Sequence, residues 1–331
     1  MRRRSFIKTA SIFAGTLAAT KILSSSVNAQ EIEELTFGII STESQANQKP
    51  IWEPFIAAMT EEIGIPVKAF YATQYAGVIE AMRFGQVDLA WFGGKSYIEA
   101  AKIANAQVFA QTVADDGSKG YYSHLIMNKD NPNLAKAKEM GGDNYVLENA
   151  SDIQFAFNDP NSTSGYLVPS YYVFAQNSVN PEEAFERLIF AGNHEATALA
   201  IANSQVDVAT NNNESLSRLE KTNPSARENI EVIWTSTLIP SDPIAWRADL
   251  PEDVKTKLQD FFYNYSDEAV LGPLEWSGFD PATDEVWNPI RELDIGEQIL
   301  TIQANDNLSQ AEKDQQIAEL NQQLEAINSQ Q

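Results

Sequence analysis

Between residues 35 and 92 this chain alternates strand-like and helical runs so closely that the elements must lie side by side in a parallel sheet. Residues 35–40 (LTFGII) read as a strand. Pro50 opens a helical run in which Trp52, Phe55, Ile56, Met59 and Ile63 recur at helical spacing, and Gly64 ends it. Residues 67–71 (VKAFY) are a second strand, a helix covers about 75–84, and residues 88–92 (DLAWF) are a third strand. Two strand-helix-strand units in so few residues require crossover connections, and those join parallel strands. The alternation continues through 121–127 (YYSHLIM), 153–157 (IQFAF), 188–190 (LIF), 206–209 (VDVA), 230–234 (IEVIW) and 243–246 (PIAW). This is the pattern of α/β layers, not of a sandwich or a bundle.

The turn-rich residues 128–133 (NKDNPN) suggest a change of domain, and the strands at 230–234 and 243–246 suggest a crossing back. The first domain is then discontinuous, with 30–125 and 240–331 making one unit and 126–239 the other. From Pro251 the chain turns helical, with Val254, Leu258, Phe261 and Phe262 at core spacing. The stretch 309–327 has apolar residues only at Ala311, Ile317, Leu320, Leu324 and Ile327, an amphipathic helix. Such a stripe either packs on its own domain or seeks a partner, a homodimer being one outcome.

The first 29 residues read as an export signal: a basic start (Met1-Arg2-Arg3-Arg4), a modestly apolar run to Thr20, and Val27-Asn28-Ala29 as the cleavage site. Residues 3–8 (RRSFIK) resemble the twin-arginine pattern, and an ordinary secretory signal also fits. The chain has 46 acidic against 23 basic residues, a net charge of −23. Cleavage near Ala29 removes five of the basic residues, so the processed chain is more acidic still. Such a charge disfavours nucleic acid and anionic membrane as partners. There is no cysteine, hence no disulfide framework and no residue on which a lipoprotein anchor is built. The expectation is a protein free in a periplasm.

The segment Asp159-Pro160-Asn161-Ser162-Thr163-Ser164-Gly165-Tyr166 sets three hydroxyls and a glycine where the strand 153–157 gives way to a helical run at 167–176. Pro169 is tolerable in that run if it lies in the first turn. Free N–H groups and the positive end of the helix dipole then face whatever sits over Ser162, Thr163 and Ser164, and a tetrahedral oxyanion suits them. The plainer reading is that Ser162 or Ser164 simply caps the helix. Other polar groups fall where strands end: Tyr75, Tyr121, His194, and Asp207 with Asn211-Asn212-Asn213-Glu214. Ligands bind at the carboxyl ends of strands in open α/β sheets. Asp242, just before the strand 243–246, is placed to face the same crevice. Taken singly, a tyrosine fills a core, Asn193 and His194 cap a helix, and Glu214 and Asp242 are solvated charge. Their joint placement makes the case. His124 sits mid-strand and reads as structural.

Ser162 or Ser164 with His194 and Asp207 or Asp242 contains the elements of a hydrolase triad, but there is no G-x-S-x-G elbow, and three contiguous hydroxyls suit several donors to one anion. Two distant histidines, no cysteine and no H-E-x-x-H leave no zinc set and no metal or other cofactor is expected.

Residues 37–44 (FGIISTES), 75–77 (YAG), 82–84 (MRF), 159–165 (DPNSTSG), His194-Glu195, 206–212 (VDVATNN) and 239–243 (IPSDP) closely resemble the phosphonate-binding proteins of bacterial phosphonate ABC uptake systems. The resemblance implies the type II periplasmic-binding-protein fold, in which two α/β domains joined by hinge strands close over a ligand in the cleft between them, and it implies no catalysis. It further implies that Ser162, Thr163, Ser164 and His194, with the hydroxyls of Tyr75 and Tyr121, hold phosphonate oxygens. Glu214 and Asp242 would receive the ammonium of 2-aminoethylphosphonate. The partners expected are a membrane permease and its ATPase. Phosphite or phosphate as cargo, and a receptor signalling to a membrane sensor kinase, are the alternatives.

Overall fold

The computed structural model describes residues 32–329; the export segment and its cleavage near Ala29 lie outside them. The chain forms two sheets, each covered by helices. The first has the strand order Trp276–Pro281, Ala106–Ala114, Pro243–Arg247, Leu89–Trp91, Leu35–Ile39, Val67–Tyr71. Its parallel part pairs Leu35–Ile39 with Val67–Tyr71 and with Leu89–Trp91, as the strand-helix-strand reading requires. The strands that arrive later in the chain add to it antiparallel. The second sheet runs Ile230–Thr235, Ser123–Asn128, Val208–Asn212, Gln154–Phe157, Arg187–Phe190, and its strands Gln154–Phe157, Arg187–Phe190 and Val208–Asn212 are mutually parallel through Gln154–Phe157.

Three sequence expectations are corrected. Residues 121–127 are not one strand. Gly120–Tyr121 pairs with Ile239–Pro240 in a separate two-stranded crossing, and Ser123–Asn128 then enters the second sheet, so the break at Tyr122 is where the chain passes from one layer to the other. Pro50 does not open its helix, which runs Gln45–Ile63 with Pro50 and Pro54 inside it. The helix starts early because Ser44 O receives the N–H groups of Asn47 and Gln48 at 3.0 and 2.9 Å. Gly64 ends it as expected, in the left-handed conformation (φ 65°) that a glycine adopts without strain.

Pro169 is the third correction. Helical backbone begins at Thr163, so Pro169 lies well inside, flanked by π-helical turns Thr163–Leu167 and Ser170–Phe174. A proline has no N–H to give the carbonyl four residues back, and its ring crowds that carbonyl. Here the carbonyl is that of Gly165, and it is used elsewhere, accepting from Asn158 N–H at 3.1 Å and Thr210 Oγ1 at 2.7 Å. Widened turns absorb the mismatch, the common origin of π-bulges at functional positions.

Each layer has its own aromatic core. Trp52 and Phe55 pack on Phe37, Trp91, Phe262, Trp276 and Phe279 under the first sheet, with ring centroids 5.2–6.2 Å apart across these pairs. Under the second, Phe155, Phe157, Phe174 and Phe185 do the same. Contacts of this geometry contribute roughly 0.5–1.5 kcal/mol each beyond the area they bury. Rigid layers then carry the loops between them. At the carboxy end, the helix Gln310–Asn328 begins with a capping box of Ser309 and Glu312 and packs on the helix Asn288–Ala304. Leu320 is its buried residue, while Ile317, Leu324 and Ile327 are half-buried. Among the described residues no helix is long and apolar enough to cross a membrane.

Candidate functional site

The site begins at the mouth of the widened helix. Ser162 is extended (φ −79°, ψ 135°), and its Oγ accepts the N–H of Gly165 at 3.0 Å, so Ser162 does cap the helix, with its own O–H left to donate. Thr163 and Ser164 are the first helical residues, whose N–H groups no carbonyl of the same helix reaches. Ser123 Oγ holds the Ser164 carbonyl at 2.6 Å and fixes the turn from the sheet side. Glycine is required at 165, because a Cβ there would stand 2.3 Å from Asn158 Cβ. From the other layer, the Tyr75 hydroxyl lies beside Ser162 and the Tyr121 hydroxyl beside Thr163. Burial first, and nearby carboxylates second, push both phenols well above their usual range, so they are neutral donors.

His194 opens the helix His194–Ala202, which Asn193 caps through Ala196 N–H at 2.7 Å. Its ring is aligned by Asn212, whose amide is oriented because Oδ1 accepts Ser215 N–H at 2.7 Å. Asn212 Nδ2 therefore points at Ser164 Oγ (3.1 Å) and at His194 Nε2 (3.2 Å). Nε2 must accept, which puts the proton on Nδ1, a buried atom with no protein partner. Burial, helped by the positive charge of Arg218, lowers the His194 pKa to about 3, so the ring is neutral and offers one N–H.

The same cavity holds two acids. Glu214 lies in the first turn of the helix Asn213–Thr222, and Asp242 precedes the strand Pro243–Arg247 with Tyr121 and Trp91 beside it. Burial raises the Glu214 pKa to about 7 against the opposing pull of Arg218, with Glu275 and Glu43 adding to the rise. Burial and then Glu214 push Asp242 well above the carboxylate range. Arg218, on the same helix as Glu214, reaches the first layer: its Nε is 2.8 Å from Glu43 Oε1 and its Nη1 is 3.8 Å from Glu275 Oε2.

All eight residues singled out from the sequence, Tyr75, Tyr121, Ser162, Thr163, Ser164, His194, Glu214 and Asp242, line one cavity between the two layers. The free space among them is about 10 Å³, room for roughly one water, so the layers must part before anything larger enters. A larger cavity of about 510 Å³, between the second sheet's edge and the helix Asn288–Ala304, contains none of them. Asp207 is excluded from the site. It stands at the start of Val208–Asn212, where its carboxylate accepts Gln154 N–H at 2.9 Å, at the opposite end of the strand from Asn212. That removes one acid of the hydrolase reading. His124 is in a strand, bonded to Thr235 at 3.0 Å, and lines no part of the cavity.

Arg218, Trp91, Gly93 and Thr42 also line the cavity, and sequence reasoning gave none of them a role. Arg218 had a signal, its spacing of four residues after Glu214, which is that of a helical ion pair. Gly93 had none. A Cβ there would meet Thr163 Oγ1 at 3.2 Å and Asp242 Oδ1 at 3.9 Å, a constraint that exists only once the two layers face each other.

Residues 37–287 match the family described as "ABC transporter, phosphonate, periplasmic substrate-binding protein". The chain is 45% identical over 324 residues to the phosphonates-binding periplasmic protein of Escherichia coli (strain K12), covering 96% of this chain and 93% of that one. Among solved structures it resembles a binding protein component of an ABC phosphonate transporter from Pseudomonas aeruginosa, with 45% identity, a TM-score of 0.84, and coverage of 91% of this chain and 98% of the other. PhnD1 from Prochlorococcus marinus in complex with methylphosphonate shares the fold at 23% identity and a TM-score of 0.67, covering 79% of this chain and 97% of that one.

Proposed function

The chain belongs to the family of periplasmic substrate-binding proteins of phosphonate ABC transporters, and from that premise we propose that it captures 2-aminoethylphosphonate between its two layers and delivers it to a membrane permease driven by an ATPase. One observation carries the choice of ligand: neutral hydrogen-bond donors and two carboxyl groups line the same cavity. Ser162, Thr163, Ser164, Tyr75, Tyr121 and the Nδ1–H of His194 supply hydrogen bonds to phosphonate oxygens, at roughly 1.5–3 kcal/mol for each bond to a charged group. Burial holds Asp242 above the carboxylate range and Glu214 near 7, and an ammonium at the far end of a zwitterion favours their ionised forms whereas a bare anion does not. Phosphite and phosphate carry no such cation.

The moving units in this proposal are residues 30–125 with 240–331, and residues 126–239, turning about the crossing of Gly120–Tyr121 with Ile239–Pro240. The carboxy-terminal helix, with Ile317, Leu324 and Ile327 only half-covered, is the proposed contact of a homodimer; light scattering on the protein with and without residues 309–331 tests that.

Calorimetry on the processed protein with 2-aminoethylphosphonate, methylphosphonate, phosphite and phosphate tests the cargo. The expected order places 2-aminoethylphosphonate tightest, and binding of phosphate alone overturns the reading. Glu214→Gln is expected to weaken 2-aminoethylphosphonate about tenfold more than methylphosphonate, the scale set by removing one charge from a buried ion pair. Equal losses for both ligands remove Glu214 from the ammonium site.

A further inference from the structure

We infer that Arg218 is a counter-ion switch: it pairs with Glu214 when the layers are apart and is drawn off by Glu43 and Glu275 when they meet, which exposes Glu214 to the cation of the ligand. This inference rests on the phosphonate reading above and adds to it the device that ties the ligand's charge to closure.

Glu214 and Arg218 are four residues apart on the helix Asn213–Thr222, with the acid toward the amino end, the orientation in which such pairs attract best. Three carboxylates act on Arg218: Glu43, Glu214 and Glu275. Only Glu214 shares its layer. Glu43 follows the strand Leu35–Ile39 and Glu275 precedes Trp276–Pro281, both in the first sheet, whereas the helix of Arg218 follows Val208–Asn212 in the second. With the layers apart, Glu214 is the carboxylate within reach of the guanidinium.

With the layers together the pairing is different. Arg218 Nε meets Glu43 Oε1 at 2.8 Å and Nη1 stands 3.8 Å from Glu275 Oε2, while Glu214 has no ion pair within 4.0 Å among the described residues. The two acids are held for this purpose. Glu43 also receives Thr42 Oγ1 at 2.5 Å, and Glu275 receives Lys221 Nζ at 2.7 Å and Ser217 Oγ at 2.6 Å. Arg218 Nη2 keeps its bond to Ser215 Oγ at 3.1 Å, within its own helix, so the guanidinium has only to turn on its stem. Glu43 and Glu275 do not line the cavity; Arg218 and Glu214 do. Closure therefore removes a cation from Glu214 at the moment the ligand supplies one, and a ligand lacking an ammonium leaves that carboxylate unpaired. A difference of this kind between the two states is what a ligand needs in order to shift their populations.

The test is the ratio of affinities for 2-aminoethylphosphonate and methylphosphonate, measured by calorimetry on the processed protein. Wild type is expected to prefer 2-aminoethylphosphonate. In Glu43→Gln, Arg218 stays on Glu214 and competes with the ammonium, so the preference is expected to fall about fivefold to tenfold, in the usual range of coupling between sites. In the Glu214→Gln background, Glu43→Gln is expected to leave the ratio unchanged. Glu275→Gln repeats the experiment at the second acid, and carries it if Glu43→Gln does not fold. A simple clamp between layers predicts another outcome, equal weakening of both ligands by Glu43→Gln, and that result overturns the switch while phosphonate binding stands. A wild type that binds methylphosphonate without preferring the amine also overturns it. A wild type that binds neither ligand overturns the phosphonate reading, and the switch with it.

Discussion

Two buried groups in the site titrate in opposite senses. His194 is folded in its neutral form, its pKa lowered from 6.5 to about 3 by burial and by Arg218. Its contribution to stability is whole above about pH 6.5 and is lost as the pH falls toward 3. Glu214 is raised from 4.5 to about 7, chiefly by burial, so its contribution is whole below 4.5 and is lost as the pH rises through 7. Melting temperatures of wild type and His194→Gln measured from pH 7 down to pH 4 are expected to diverge, the variant falling less steeply. Under the proposed function an ammonium at Glu214 favours the carboxylate. Binding of 2-aminoethylphosphonate near pH 6.5 is then expected to release protons, seen as a dependence of the calorimetric heat on the ionisation heat of the buffer beyond that found with methylphosphonate. Glu214→Gln is expected to abolish the excess. The residue types at these positions were legible in the chain: a histidine opening a helix, and carboxylates beside strand ends. Their protonation was not, because it depends on burial and on Arg218, and both arise from distant parts of the chain.

At the scale of the element, the helix that begins at Thr163 decides where an anion is held. Its widened turns follow from Pro169, and the carbonyl that Pro169 leaves unused is taken by Asn158 and Thr210. Gly165 allows the backbone to lie against Asn158. Gly165→Ala is expected to cost about 1–3 kcal/mol in urea denaturation, the usual range for overpacking, and to weaken every phosphonate by displacing the Thr163 and Ser164 N–H groups. The hydroxyl cluster and the helix start could be read directly from Ser162-Thr163-Ser164-Gly165. The irregular interior could not, since a proline in a helical run is compatible with a first turn or with a bulge, and the choice lies with the partners of one carbonyl.

For the whole molecule, the bonds across the cavity describe a closed arrangement. Thr42 O accepts the N–H groups of His194 and Glu195 at 3.0 and 3.3 Å, and Glu195 accepts Ser44 N–H at 2.7 Å and Asn47 Nδ2 at 2.6 Å. Tyr75 N–H reaches Asp159 Oδ2 at 3.2 Å, and Lys95 N–H reaches Thr163 Oγ1 at 2.9 Å. Glu195 lines no part of the cavity. Its bonds contribute to closure without regard to what is enclosed, so Glu195→Ala is expected to weaken 2-aminoethylphosphonate and methylphosphonate alike, by about threefold to tenfold for partly exposed bonds to a carboxylate. Calorimetry with both ligands checks this, and a changed ratio would contradict it. The contrast with Glu43→Gln separates a latch from a switch.

The chain by itself determined the α/β layering, the parallel core of the first sheet and the hydroxyl-rich helix start, because each rests on local periodicity or on a motif of adjacent residues, whereas the set of eight site residues came from the family resemblance. Only the tertiary structure decided where the chain crosses between layers, which end of a strand Asp207 occupies, and that Arg218 sits among three carboxylates from both layers. Those outcomes depend on contacts between residues up to 175 positions apart, such as Glu43 and Arg218, for which no spacing along the sequence carries a signal.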